Sequence, residues 1–133
     1  MTSIALNNNP SAWEVKDSES LKIFVLNCQS IQQELQHIKE SLAMQADIIC
    51  CSETWLDSDN IKDELEIESY KLHLNSVGRG NGLAIYFRVD NSEIISDIKT
   101  NTFQITKLTS KKIDVISVYL SDRANSLDVI DSF

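Results

Sequence analysis

Along the chain, apolar and polar positions change their period three times. Residues 1–20 show no period at all: Asn7, Asn8 and Asn9 precede Pro10, and Trp13 is the one large anchor, so this stretch reads as a loose leader. From Leu21 a short apolar run, Leu21–Lys22–Ile23–Phe24–Val25–Leu26, predicts a buried strand ended by polar Asn27 to Ser30. Ile31, Leu35, Ile38 and Leu42 then recur at spacings of four, three and four. That spacing stacks them on one face of a helix, with Gln33, Glu34, Lys39 and Glu40 toward water. Ser30 followed by Gln33 predicts a capping box at its start.

Ile48–Ile49–Cys50–Cys51 forms the next apolar run. Strand, helix and strand within about 30 residues make a βαβ unit, which predicts parallel strands with a right-handed crossover. Ligands of parallel sheets gather beyond the carboxyl ends of the strands. The polar residues standing there are Asn27 after the first strand and Glu53 after the second.

Beyond this unit the pattern is β-like. Asp57 to Asp63 is a charged loop with a helical turn at Ile61 to Leu65. Strands are predicted at Tyr70 to Leu74, Leu83 to Val89, Glu93 to Asp97, Phe103 to Leu108 and Ile113 to Tyr119. Gly78–Arg79–Gly80–Asn81–Gly82 joins the first two as a hairpin, and Asn91–Ser92 is a further turn. Ser126 to Phe133 begins like a helix, with Leu127 and Ile130 on one side. The division is thus a leader over 1–20 and one α/β domain over 21–133, and the unfinished last element marks that domain as truncated.

Composition narrows the classes. Apolar residues make up 42% and charged residues 24%, a globular balance in a length that suits one core. A net charge of −8 removes the basic face on which free-standing DNA binders rely. It leaves room for a metal-dependent enzyme, whose carboxylates gather cations that meet phosphate. Cys28, Cys50 and Cys51 are odd in number and sit in apolar stretches, which fits neither a disulfide framework nor a zinc site. They read as buried thiols, and the Cys50–Cys51 pair, with no basic partner, as core. Reduced thiols, with neither a signal peptide nor a membrane span, place the chain inside the cell, in nucleus or cytoplasm.

Two segments resemble a known family. Leu21-Lys-Ile-Phe-Val-Leu-Asn27-Cys-Gln-Ser30, a helix, and then Ala46-Asp47-Ile-Ile-Cys-Cys-Ser-Glu53-Thr54-Trp55-Leu56 is similar to the opening of the endonuclease/exonuclease/phosphatase superfamily. Glu-Thr-Trp-Leu with the later hairpin Arg79-Gly-Asn-Gly-Leu-Ala-Ile-Tyr86 resembles most the apurinic-like endonuclease domains of non-LTR retrotransposons. The likeness runs from about Leu21 to Phe133.

The resemblance implies a four-layer α/β sandwich of mixed sheets between helices, of which this chain would be the N-terminal half. It also implies a DNA-nicking activity that depends on Mg²⁺, with Mn²⁺ as a substitute. Glu53 and Asn27 fall at the metal and phosphate positions, Asn27 also counting among the catalytic residues, and Tyr119 falls near the scissile phosphate. The chemistry suits them: Mg²⁺ takes one or two carboxylates, and an amide offers both a carbonyl oxygen and N–H donors. Asn125 is the counterpart of a phosphate-contacting Asn, but Leu120-Ser-Asp-Arg-Ala-Asn125 lacks the usual proline and shifts the spacing. Arg79 and Arg88 are candidates for the DNA backbone, and Trp55 is expected to pack beneath the site, with stacking on DNA as the less favoured alternative. His37, on the helix, and His73, alternating within a strand, are excluded as general bases because neither has a neighbour at ligand spacing.

The family's later motifs, Gly-Asp-x-Asn and an Asp-His pair, do not occur in these 133 residues. The expectation is therefore a domain that nicks DNA in its complete form and is inactive and association-prone without the C-terminal half. Two other readings fit the same residues: a phosphatase of this superfamily acting on a small or lipid substrate, and a non-catalytic remnant or interaction module.

Overall fold

In the computed structural model, residues 4–5, 21–77 and 81–121 are described. The βαβ unit forms as its sequence pattern requires. Strand β2, Ile23–Asn27, runs parallel to β3, Ile48–Ser52, with Ile23 opposite Ile48 and Asn27 opposite Ser52. Between them lies helix α1, Ile31–His37, which widens into a π-helical turn over Ile38–Leu42. The apolar stripe fixes its orientation: Ile31 and Ile38 are fully buried, while Leu35 and Leu42 pack at the margin. Burying one such side chain is worth about 1.5–3 kcal/mol.

Strand β1, Ile4–Ala5, pairs antiparallel with β8, so these two residues of the leader join a sheet. The charged loop holds a 3₁₀ segment at Asp59–Leu65, capped by the Ser58 side chain accepting from the Asn60 N–H. The remaining strands are β4 (Lys71–Asn75), β5 (Leu83–Phe87), β6 (Glu93–Lys99), β7 (Phe103–Thr109) and β8 (Asp114–Leu120).

Two four-stranded sheets result. One is mixed, in the order β2-β3-β5-β4; the other is antiparallel, in the order β1-β8-β7-β6. Period-two alternation decides what each face meets. Ile49 and Cys51 of β3, with Ala84 and Tyr86 of β5, turn toward α1 and form one core with Ile31 and Ile38. Ile48 and Cys50, with Ile85 and Phe87, turn the other way and meet Leu108 and Val115 of the second sheet. The layers are thus helix, sheet, sheet, an α/β architecture. All five residues of β3 are buried because both of its faces are covered.

Polar side chains also cross between the sheets. Asn75, fully buried at the end of β4, donates its amide to Ile98 O, Ile105 O and Thr106 Oγ1 at 3.0–3.3 Å. Two residues earlier, His73 Nε2 meets Asp97 Oδ2 at 2.5 Å, and Thr106 donates to the other oxygen of Asp97 at 2.7 Å. Among the described residues, strand β6 lies at the margin of its sheet, and it carries a bulge between Ile94 and Ser96.

Among the described residues, no helix is long and apolar enough to cross a membrane. The three cysteines are free and buried. Burial pushes the Cys50 thiol up to about 12, and a hydrogen bond with Cys28, reinforced by burial, pushes up Cys51.

Candidate functional site

Asn27 and Glu53 leave the carboxyl ends of neighbouring parallel strands, as the βαβ reading requires. In the ladder Asn27 lies opposite Ser52, which makes Glu53 one residue beyond the last pair. An uninterrupted strand would turn the Glu53 side chain to the other face, but its φ of 52° ends the alternation there. Asn27 is exposed and Glu53 half-buried, so solvent reaches both.

The two loops that follow these strands are joined through their backbones. Cys28 N–H donates to Ser52 O at 2.9 Å, Ser30 N–H to Glu53 O at 3.0 Å, and Ile31 N–H to Thr54 O at 3.1 Å. The ladder thus continues past the strands and binds the start of α1 to the Glu53 loop. Ser30 serves this junction instead of the predicted capping box: at φ 95° its side chain makes no cap hydrogen bond. Gln29, Ser30, Glu53 and Trp55 all have positive φ, four of the seven non-glycine residues that do so among those described. Such conformations cost on the order of 1 kcal/mol each and persist where surrounding structure imposes them.

A third segment closes against this loop. Trp55 N–H donates to Asn81 O at 3.1 Å, and Gly82 packs against Thr54 so closely that a Cβ on it would lie 2.3 Å from Thr54 Oγ1. With φ at +108°, only glycine suits this position. Thr54 is fully buried, and its hydroxyl has no hydrogen-bond partner among the described residues. Trp55 does not pack beneath the site as expected. Buried Thr54 and Leu56 flank it and point inward, which leaves Trp55 41% exposed.

The second sheet reaches the same edge. Gly82 N–H donates to Gln104 Oε1 at 3.2 Å, and Gln104 lies opposite Tyr119 in the β7–β8 ladder. Gln104 is fully buried and its amide donates to Thr100 O at 3.0 Å, which fixes the side chain at both ends. Tyr119 is buried, at 7% exposure. Asn27, Glu53, Gly82 and Tyr119 therefore stand at one end of the stacked sheets. Sequence reasoning missed Thr54, Gln104 and Asn75. The strand Phe103–Thr109 opens with alternating apolar and polar positions, a pattern that assigns Gln104 to a solvent face, so its burial carries no cue in the sequence.

Arg88 belongs to the opposite end, where β5 finishes. It donates to Met44 O at 3.0 Å, lies 3.9 Å from an Asp47 oxygen and stacks 5.2 Å from the Tyr70 ring centre. These contacts tie it to the loop before β3 and to Tyr70, at the end of the sheet away from Asn27 and Glu53. Arg79, Asn125 and the helix expected from Ser126 lie outside the described residues. His37 is exposed on α1, and His73 is engaged by Asp97 between the sheets.

Among the described residues, no three His, Cys, Asp or Glu side chains cluster as a metal-binding group. One carboxylate and one amide nonetheless suit Mg²⁺ in kind, since this ion keeps several waters and shares its remaining positions with substrate phosphate. No family model matches the chain, and no curated protein does.

Proposed function

We propose that this chain carries part of a magnesium-dependent phosphodiesterase centre, of the endonuclease/exonuclease/phosphatase type, that nicks DNA when the domain is complete. The observation behind this reading is the convergence of Asn27, Glu53 and Tyr119 on one end of the sandwich, with the Asn27 and Glu53 loops bonded to each other. We further propose that the helix–sheet–sheet stack belongs to a four-layer sandwich. The apolar row Phe103, Ile105 and Val118, on the side of the second sheet away from the first, is itself buried at 0–5% exposure, as a covered outer face of such a sandwich requires.

In this reading Glu53 and the Asn27 carbonyl would hold the ion, which would supply neutralisation of phosphate charge and polarisation of the phosphorus centre. The Asn27 amide N–H and the Tyr119 hydroxyl donate to phosphate oxygens and orient the bond to be cleaved. A net charge of −8 opposes unassisted DNA binding, so affinity is tied to the divalent ion. Activation of water falls to residues outside these motifs, in line with the engagement of His73 by Asp97.

Manganese titration of the ¹⁵N-labelled chain tests the reading. Paramagnetic broadening should centre on the amides of Asn27 to Ser30 and Glu53 to Leu56, and Glu53→Gln should remove it. Broadening centred on Glu64, Glu66 and Glu68, or indifferent to that substitution, would overturn it.

A further inference from the structure

Beside the Glu53 loop lies an open crevice of about 330 Å³, lined by Gln32, Trp55, Leu56, Asp57, Ser58 and Ile61. We infer that this crevice is a stacking subsite for a single unpaired nucleobase carrying an exocyclic amine. Its wall is the indole of Trp55, one of three large apolar side chains left exposed among the described residues. A buried or surface-packed tryptophan would bring no ligand to mind, but this one is presented by a constrained backbone. Its φ is 59°, its N–H is fixed to Asn81 O, and both its neighbours are anchored in the interior. An aromatic face held in place loses little freedom on binding, which favours stacking of a planar ring.

The remaining lining selects the ligand. Leu56 and Ile61 give apolar walls, and the volume is at the small end for ligand sites, which suits one ring system. No lysine or arginine lines the crevice, and Asp57 lies in it, so a phosphate group is disfavoured there. Gln32 and Asp57 make no side-chain hydrogen bond among the described residues and bring an amide and a carboxylate to the rim. A glutamine amide matches the N6 and N7 edge of adenine, and a carboxylate accepts from an exocyclic amine of adenine or cytosine. Phosphate chemistry at Glu53 and base capture at Trp55, two residues on, would then act on one strand. The biological source of the base rests on the phosphodiesterase reading; the binding itself does not.

The test uses neutral 2′-deoxyadenosine, which removes phosphate repulsion, and the full chain carrying Trp13→Phe so that Trp55 is its sole indole. Saturable quenching of Trp55 fluorescence is expected. By calorimetry, Trp55→Ala should weaken binding about 5- to 150-fold, the range for loss of one stacked base. Trp55→Phe should retain most of the affinity, and Gln32→Ala should reduce the preference for deoxyadenosine over thymidine. Glu53→Gln should abolish manganese binding and leave nucleoside binding unchanged, so manganese binding that survives the substitution overturns the metal reading alone. The subsite is overturned by linear, unsaturable quenching, by equal binding to parent and Trp55→Ala, or by N-acetyltyrosinamide binding as tightly as the nucleoside, which would mark a surface for aromatic peptide side chains.

Discussion

His73 Nε2 lies 2.5 Å from Asp97 Oδ2, joining β4 of one sheet to β6 of the other. Burial opposes ionisation of this carboxyl, yet the hydrogen bonds from His73 and Thr106 outweigh it and hold Asp97 below its ordinary value of 3.8. A carboxyl depressed in the folded state stabilises the fold above its unfolded value, and that contribution fades as the pH falls through the folded one. His73→Ala should therefore cost about 1 kcal/mol near neutrality. The gap between variant and parent should narrow below pH 3.8. Urea unfolding at a series of pH values would show it, and a gap that widens in acid would contradict the coupling.

Gly82 and Thr54 form a second pair whose energetics can be isolated. Gly82→Ala should destabilise the fold by about 2 kcal/mol or more, because strain at positive φ adds to a collision with the Thr54 hydroxyl. Thr54→Ala removes that oxygen, so the double variant should lose measurably less than the sum of the single losses. Additivity of the two would show that the collision is relieved elsewhere.

Asn75→Ala removes three hydrogen bonds that hold the sheets together and opens a void in a fully buried position. Thermal unfolding should reveal a loss of about 2–3 kcal/mol, well above that of an exposed substitution such as Lys71→Ala.

Much of this architecture was legible from periodicity. The stripe of Ile31 and Ile38 and the apolar runs at β3 and β5 each appear where hydrophobic spacing requires, because burial of one face is a local property of the sequence. Of the candidate site, only the placement of Asn27 and Glu53 at the carboxyl ends of parallel strands was legible, because each follows an apolar run that ends in polar residues. What escaped depends on contacts between distant segments. Gln104 and Gly82 meet across 22 positions, and nothing near either residue announces the other. Trp55 was misread for a related reason: hydrophobicity favours burial, but the left-handed turns at Glu53 and Trp55 send the neighbours inward and the indole outward. Ser30 had the sequence of a helix cap, and its backbone was taken instead by Glu53.

Supercoiled plasmid incubated with the 133-residue chain and Mg²⁺ should remain intact, since no Gly-Asp-x-Asn or Asp-His motif is present to activate water. Gel electrophoresis reads the outcome directly. Metal-dependent nicking by the purified chain would show that a general base exists among these residues.

Thiol reagents provide an independent check of the interior. Cys50, raised to about 12 by burial, and Cys51, raised by its bond to Cys28 and by burial, should stay unlabelled in native buffer at pH 8. All three cysteines should react on addition of denaturant.

The bulge between Ile94 and Ser96 bears on how the molecule behaves in crowded solution. It interrupts the straight row of amides and carbonyls that a sheet margin would otherwise hold out, and Glu93, Asp97 and Lys99 add charge along the same strand. Although Ile95 is open to solvent, a second copy could not extend the sheet there in regular register. That irregularity guards against fibre growth by sheet extension, a protection that straightening the strand would remove.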